Sequence, residues 1–368
     1  MKKDAIIIGA GVSGLSIAKG LQAAGLSVGV LEKSRGTGGR VSSKRLMLAE
    51  PEKSITYDLG ASDFNANSKL FQAYLTELEQ KNIVGKHGDQ YVGMPRNSSF
   101  TRYLSKGLYI QFSQKVSKIE YDGSHWIVYG HQLDIKKTQL DQNIESEQIP
   151  LAMCKRIIFS GPAEQVLQLL PVSHSAAHWL NLIKSQIAFV TTLVLNTQAS
   201  QSQLNALHSR LIAYEPIKEV SFEHLKPNRE SHGLVVVKLT STHTWGKTHE
   251  NTAVDVVSEI FKRLLLIEFE NIKDAEHTVL TQHTHRWLYS QYEQLISQSK
   301  GFLSFDDGIS IVGDYFDIEG ETLDVAFENK QMGGVERSFL SAQRLLLHLQ
   351  SMTQRSDQDV LDQNKAVS

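Results

Sequence analysis

The chain has 368 residues, 41% of them hydrophobic, and a formal net charge of -2 at neutral pH. This length allows two domains with ordinary cores, and so small a charge gives no bulk attraction to nucleic acid or anionic membranes. The one cysteine, Cys154, excludes an intramolecular disulfide and a Cys-x-x-Cys redox pair. No apolar run is long enough for a membrane span or a signal peptide, so we expect a cytoplasmic protein without nucleic-acid or membrane partners.

The N-terminal stretch has the pattern of a βαβ unit. The apolar run at 5–8 predicts a strand buried on both faces, and helical periodicity follows at 15–24. A second apolar run at 28–31 predicts the next strand, which ends on Glu32. A carboxylate at that position accepts hydrogen bonds from an adenosine ribose and repels a 2′-phosphate. The pattern therefore favours a dinucleotide site.

The turn between this strand and helix contains Gly9, Gly11 and Gly14. Gly9 suits a tight turn, Gly11 suits close approach of the backbone to a pyrophosphate, and Gly14 suits close packing of the helix on the sheet. Val12 and Ser13 begin the helix, whose free N–H groups and dipole favour an anion. The alternative is a glycine-rich turn in another kind of α/β protein, which the strand, helix and acid around this turn disfavour.

A second glycine-rich loop follows at once, with cationic side chains at Lys33, Arg35 and Arg40 and glycines at Gly38 and Gly39. An NAD enzyme has no need of such a loop beyond its ribose carboxylate. FAD does need one, because its charged pyrophosphate and long flavin portion lie along backbone, where glycine allows close contact. We therefore expect FAD, bound non-covalently because the chain lacks a thiol suited to tethering it.

The order of Glu32, five intervening residues and then Gly38-Gly39-Arg40 resembles a flavoprotein superfamily. Its members include amine oxidases, phytoene desaturases, protoporphyrinogen oxidases and renalases. The resemblance implies an α/β fold, with a Rossmann-type FAD-binding domain of the p-hydroxybenzoate hydroxylase-like kind and an inserted mixed-sheet α+β substrate domain.

The same resemblance suggests a discontinuous domain organisation. We expect the FAD-binding domain at 1–65, 108–170 and 301–350, and the substrate domain at 66–107 and 171–300. Residues 351–368 are polar and low in aromatic side chains, which predicts a disordered tail.

Further FAD contacts are implied by the resemblance rather than by the residues themselves. Those close to the flavin ring are Asp58, Gly60 and Ala61, and the one beside the adenine is Val116. Those at the pyrophosphate and ribityl chain are Gly313 and Asp314, and those at the pyrimidine side of the flavin are Gly334, Val335 and Glu336.

Within the superfamily, the order of features is most similar to that of the renalases. These features are a Gly-Met pair at 93–94, Trp126, a His-x-Trp element at 243–245, a His-Arg-Trp element at 285–287 and Gly-Asp at 313–314. The resemblance implies oxidation of off-pathway dihydronicotinamide isomers of NAD(P)H to NAD(P)+. The electrons would pass through FAD to O2, which gives hydrogen peroxide.

Hydride transfer to a flavin requires orientation at contact distance more than an acid or a base, so no catalytic residue is assigned. Aromatic stacking and hydrogen-bonding groups suit a flat nicotinamide ring, and aromatic core packing is the alternative for the same side chains. The pocket candidates are His243, Trp245, His285, Arg286, Trp287 and Tyr289. The histidines lack the carboxylate or cysteine pattern of a metal site, so no metal is expected.

Two departures from the renalase pattern bear on the substrate. Leu288-Tyr289-Ser290 stands where renalases typically continue with Arg-Tyr-Ala, and the link at 321–332 is longer than expected and is a candidate gate for the pocket. A flavin amine oxidase acting on a small amine, and a flavin-binding protein without turnover, are therefore the alternatives. The residues leave the oligomeric state open.

Overall fold

The chain forms two main β-sheets with helices packed against them. The computed structural model describes residues 1–48, 54–133, 148–272, 276–297, 299–318 and 332–366. The strands are β1 (Lys2–Ile8), β2 (Val28–Leu31), β3 (Ser43–Met47), β4 (Ser54–Asp58), β5 (Val84–His87), β6 (Gln90–Gly93), β7 (Ile110–Gln111), β8 (Gln114–Tyr121), β9 (Trp126–Gln132), β10 (Ile149–Phe159), β11 (Ser185–Thr197), β12 (Ile217–Phe222), β13 (Val235–Ser241), β14 (His277–Tyr292), β15 (Leu303–Ser304) and β16 (Ile309–Ile311). The helices are α1 (Val12–Ala23), α2 (Lys69–Gln80), α3 (Ser98–Leu104), α4 (Ala163–Leu167), α5 (Ala176–Leu180), α6 (Gln201–Leu211), α7 (His243–Thr248), α8 (Val254–Glu270) and α9 (Gly334–Ala366).

The first sheet has the order β15-β16-β10-β1-β2-β7, and β9 and β8 extend it from β10. The pairings of β16, β10, β1, β2 and β7 are parallel, as the βαβ pattern predicts. Ile6 and Ile7 are fully buried because helices cover the sheet. Gly20 of α1 leaves the space that Leu346 of α9 occupies, so these two helices pack closely. The expected Rossmann-type sheet is confirmed.

The second sheet has the order β12-β13-β11-β14 and is antiparallel throughout, where a mixed sheet was expected. Leu207 of α6 and Phe261 and Leu265 of α8 share one hydrophobic core on one face of this sheet. Helices placed on one face of an antiparallel sheet are the α+β arrangement, which needs no parallel crossover.

The other face of the second sheet packs against the ribbon that β3 and β4 form. Ile55 and Tyr57 of β4 contact Val194 of β11 and Val236 of β13 in a small hydrophobic cluster. The second sheet therefore lies between its own helices and a ribbon that continues from the second glycine loop.

The 66–107 segment packs in a different core from the one expected. Phe71 and Phe100, from the 66–107 segment assigned to the substrate domain, pack in the same core as β1 and β10. The division into domains itself stays a prediction.

Helix α9 continues to Ala366, whereas a disordered tail was expected from 351. Residues 351–366 contain neither glycine nor proline, so each added residue extends the helix by one hydrogen bond. The 321–332 link, for which the sequence left a gating role open, lies outside the described residues except for its last residue.

A buried ionic network joins the ribbon to the second sheet. Asp58, at the end of β4, accepts a hydrogen bond from Lys226 Nζ at 3.1 Å and pairs with Arg229. Glu223 pairs with Lys226 and lies 3.9 Å from Lys238 Nζ, and these five side chains are at most 2% exposed. Burial alone would raise the pKa of Glu223, but the neighbouring ammonium groups outweigh burial and hold it below its usual value.

Replacing Lys226 by methionine should lower the free energy of unfolding by about 3–5 kcal/mol, because two buried carboxylates lose a partner. Urea unfolding followed by circular dichroism measures this change. The control is Lys118→Met, which removes an ammonium from an exposed pair with Glu120 and should leave stability unchanged. Equal stability of the two variants would contradict a structural role for the network.

Candidate functional site

The three glycines of the first loop have different surroundings. Gly9 has a φ of +110°, and a Cβ built on Gly14 would lie 2.2 Å from the carbonyl oxygen of Gly9. Gly11 caps helix α1 in extended backbone, and a Cβ built there would meet no atom within 4 Å. Gly9 and Gly14 are thus required by the turn and by packing, whereas Gly11 borders open space at a helix N-terminus. Val12 and Ser13 form the first turn there, which contains no acidic residue.

The second glycine loop meets the first at this open space. Gly38 and Gly39 have φ values of +143° and +54°, which favour glycine. The N–H of Gly38 donates to the carbonyl oxygen of Ala10 at 3.1 Å. The nearest atom to a Cβ built on Gly39 would be Gly11 Cα, at 3.6 Å. The structure therefore brings together two glycine-rich loops that α1 and β2 separate in the chain, and they form one cradle at a helix N-terminus, which favours an anion.

Glu32 lies beside this cradle at the end of β2 and is 8% exposed. Its carboxylate accepts hydrogen bonds from the N–H groups of Ala10 and Ser34, each at 2.7 Å. Each oxygen keeps a further acceptor position. The N–H of Gln114 donates to the Glu32 carbonyl at 2.9 Å, which brings the start of β8, with half-buried Val116, next to the acid. The expected adenosine contacts are therefore grouped together.

Arg40 makes a contact that the sequence pattern did not indicate. Its guanidinium forms two hydrogen bonds with the carboxylate of Asp314, one of them at 2.8 Å, and it lies 5.5 Å from the ring centre of Tyr292. Burial lowers the pKa of Arg40, but Asp314 outweighs burial, so the guanidinium stays cationic. The Asp314 carbonyl accepts from Arg337 Nε at 2.8 Å. Arg40 and Asp314 were expected on the cofactor separately, and the structure holds them as one pair.

Three other predicted cofactor residues have structural partners. Asp58 has no free acceptor position, since Ser43 Oγ and the Asn97 N–H also bind its carboxylate, at 2.9 and 2.8 Å. A Cβ on Gly60 would lie 2.1 Å from the Arg40 carbonyl, which also accepts from the Ala61 N–H at 2.9 Å. Gly60 and Ala61 thus hold the second glycine loop in place. The Asp58 carboxylate is used in the buried network, so a flavin contact of this segment stays a prediction for its backbone.

Helix α9 begins next to Asp314. A Cβ on Gly334 would lie 3.0 Å from Asp314 Oδ2, and Val335 packs partly on the main core. The fully buried carboxylate of Glu336 accepts from the Asn67 and Ser68 N–H groups, the shortest at 2.6 Å. The Glu336 side chain therefore anchors the start of α2, and the expected approach of the α9 N-terminus to the flavin stays a prediction.

The remaining predicted cofactor residues lie around the cradle. A Cβ on Gly313 would lie 2.6 Å from the ring of Tyr315, so this glycine makes room for a tyrosine. The Lys33 ammonium donates to Gln165 Oε1 at 3.3 Å, and Arg35 is exposed. No contact of these side chains excludes a cofactor at the cradle.

Strand β14 presents part of the predicted pocket to the ribbon. Trp287 Nε1 donates to the carbonyl oxygen of Leu59 at 2.9 Å, and the rings of His285 and Trp287 are 4.5 Å apart. The ring centres of His283 and Tyr57 are 6.1 Å apart. Side chains two residues apart on a strand share a face, so His283, His285 and Trp287 form one wall. Tyr289 follows farther along and is half-buried.

Three other pocket candidates lie away from this wall. The Arg286 guanidinium donates to the Glu250 carbonyl on the helix side of the second sheet. Trp245 packs there against Phe189, with ring centres 5.9 Å apart, and is 8% exposed. His243 bonds to Lys218 and Gln291. The expectation of one pocket lined by all six residues is therefore wrong. Adjacent residues on a strand point to opposite faces, which separates Arg286 from Trp287, and His243 and Trp245 lie on α7.

The pocket prediction omitted several groups near the wall. Burial, together with Lys44, lowers the pKa of His283 to about 4, and burial also lowers that of His285, so both imidazoles are neutral at neutral pH. The buried polar atoms Tyr57 Oη, Thr192 Oγ1 and His283 Nδ1 have no hydrogen-bond partner. Period-two alternation along β14 is the sequence signal that could have grouped positions 283, 285 and 287.

Two absences hold for the described part of the chain. No group of three or more His, Cys, Asp or Glu side chains there is placed to hold a metal ion. No helix within the same residues is both long enough and apolar enough to cross a membrane.

Known proteins with a similar fold agree with this architecture. The family described as an NAD(P)-binding Rossmann-like domain matches residues 7–78. A protein from Exiguobacterium sp. 255-15, provisionally named a protoporphyrinogen oxidase, is 13% identical, with 94% of this chain and 98% of that one covered and a TM-score of 0.58. A putrescine oxidase variant redesigned in cofactor binding is 12% identical, with coverages of 95% and 99% and a TM-score of 0.54. An oxidoreductase from Methanosarcina mazei is 13% identical, with coverages of 93% and 100% and a TM-score of 0.56. The chain shares the fold of these three proteins.

Proposed function

We propose that this protein is an FAD-dependent oxidoreductase. The observation that carries the proposal is the single cradle formed by two glycine loops, with open space at Gly11, a helix N-terminus behind it and Glu32 beside it. This donor set fits a dinucleotide whose second half extends past Arg40. An ordinary NAD site would need the first loop alone.

The residues present fit FAD bound without a covalent link. The first turn of α1 would hold the pyrophosphate, Glu32 the ribose, and Arg40 the end of the cradle that faces β14. Cys154 is fully buried in β10, and burial raises the pKa of its thiol to about 12, so it is not suited to tethering a cofactor.

When bound, FAD would supply the chemistry by accepting a hydride and passing the electrons to O2, with formation of hydrogen peroxide. The chain contributes orientation. Trp287 is held by its hydrogen bond to Leu59, the residue before Gly60, so its ring is fixed at the point where the ribbon meets the cradle. A fixed ring orients a flat substrate, which is the main requirement of hydride transfer.

We propose dihydronicotinamide isomers of NAD(P)H as the substrates, following the renalase-like order of motifs. The wall of His283, His285 and Trp287 supports this proposal because it combines an aromatic ring with two neutral imidazoles. A flat, uncharged dihydronicotinamide ring can stack and form hydrogen bonds there. A small amine, suggested by the likeness in fold to putrescine oxidase, is the competing substrate class.

Gly11→Ala should reduce FAD binding at least tenfold and leave the stability of the cofactor-free protein unchanged. A methyl group at Gly11 meets no protein atom within 4 Å, so it would project into the space that the cofactor needs. Flavin absorbance after gel filtration, together with thermal unfolding of the cofactor-free protein, gives the two readouts. Gly14→Ala is the matched control and should lower stability, since its methyl would lie 2.2 Å from the Gly9 oxygen. Normal FAD retention by Gly11→Ala would remove the main support for the proposal.

Anaerobic mixing should show rapid loss of flavin absorbance with 2- or 6-dihydronicotinamide isomers and little loss with putrescine, spermine or benzylamine. Ordinary NADPH should react slowly, because no second Gly-x-Gly-x-x-Gly pattern after residue 40 offers it a domain. Stopped-flow absorbance measures all three classes. Reduction by an amine, with the dihydronicotinamides inert, would assign the protein to the amine oxidases instead. Inertness of every donor would indicate flavin binding without turnover.

A further inference from the structure

Lys44 is a half-buried cation without a partner. It lies on β3 directly opposite Tyr57 of β4, so both side chains project from the same face of the ribbon, toward β14. Tyr57 in turn lies beside the ring of His283. Among the residues that the structure describes, no hydrogen bond or ion pair satisfies the Lys44 ammonium.

The groups around Lys44 are cationic or neutral. Burial and then Arg35 lower its pKa, and Lys44 itself contributes to lowering the pKa values of His283 and His285. Among the described residues, no carboxylate acts on any of the three groups, whereas the cations of the buried network have carboxylate partners. A half-buried ammonium without a counter-ion attracts an anion more strongly than a fully solvated one does.

The position of Lys44 connects this charge with the proposed substrate wall. His285 contacts Trp287, which is bonded to Leu59 next to the cradle, and His283 continues the wall outward toward Lys44 and Tyr57. Trp287 and His283 are two repeats of two residues apart, a distance of about 14 Å along the strand. An extended substrate whose ring stacks on Trp287 would therefore direct a phosphate, carried beyond its ribose, along the wall toward Lys44.

We infer that Lys44, supported by Arg35, forms an anion-binding subsite at the outer end of the β14 wall, where it holds a phosphate group of the substrate. This inference rests on the proposed function for the identity of the substrate. It adds a specificity-determining residue: phosphate-bearing dihydronicotinamides are selected by Lys44, and cationic polyamines are repelled by it.

The test uses the FAD-loaded protein and ADP-ribose, a probe that carries the pyrophosphate but no oxidisable ring. Lys44→Gln should weaken ADP-ribose binding about tenfold in calorimetry, because one charge-assisted contact is lost. Arg45→Gln is the matched control: it removes an equal charge from the neighbouring residue, which is exposed on the other face of the ribbon, and should leave the affinity unchanged. Equal affinities for the two variants, or no binding of ADP-ribose to the unaltered protein, would overturn the inference.

A kinetic experiment distinguishes failure of the subsite from failure of the proposed reaction. Lys44→Gln should raise about tenfold the concentration of dihydronicotinamide dinucleotide needed for half-maximal flavin reduction, and leave that of the phosphate-free riboside unchanged. Equal increases for dinucleotide and riboside would contradict phosphate recognition. If neither donor reduces the flavin but ADP-ribose binding still depends on Lys44, the proposed function fails and the subsite stands.

Discussion

The buried ionic network around Asp58 is the interaction on which the relation of the two sheets depends. Burying a charge costs several kcal/mol, and this cost is offset only when each ion has partners in good geometry. Asp58 and Glu223 meet that condition through Lys226, Arg229 and Lys238. The next residues after Asp58 support the second glycine loop, so the network fixes the second sheet relative to the cradle. Strand β14 lies opposite the cradle as a consequence.

Glycine has two distinct uses in this site. At Gly14 and Gly60 an added methyl group would meet backbone atoms of the protein itself, at 2.2 and 2.1 Å. At Gly11 and Gly39 the space is open, and the two positions adjoin each other. The first kind of glycine lets the loops pack, and the second leaves a concave surface of N–H groups that a ligand can approach. A pattern of glycines in a sequence does not distinguish them.

Charged side chains are distributed unevenly between the ribbon and the second sheet. In the buried network three cations surround two carboxylates, so each carboxylate has a cationic partner. Arg40 is likewise paired, with Asp314. Lys44 stands apart, because the imidazoles opposite it are neutral and no acid of the described residues acts on its ammonium. The face of β14 that carries His283 and His285 therefore lies next to an ammonium that the described residues leave unpaired, in a protein whose formal net charge is only -2.

The sequence by itself determined the parts of this protein that depend on local order. The βαβ unit, Glu32 at the end of its second strand and the two glycine loops follow from apolar periodicity and from turn chemistry. These signals arise between residues close in the chain, where backbone geometry leaves few choices. The helical state of 351–366 was missed, because low aromatic content reports on packing and not on helix formation.

Only the tertiary structure decided which side chains face the site. Arg286 and Trp287 are neighbours in the chain and lie on opposite faces of β14, so a motif that names both cannot say which one meets the cradle. Asp58 and Glu336 resembled cofactor ligands, and both are taken up by partners more than 30 residues away along the chain. The proposed role of Lys44 rests on the lack of a counter-ion for its ammonium among the described residues. A missing counter-ion is a property of packing between distant segments, and no local pattern records it.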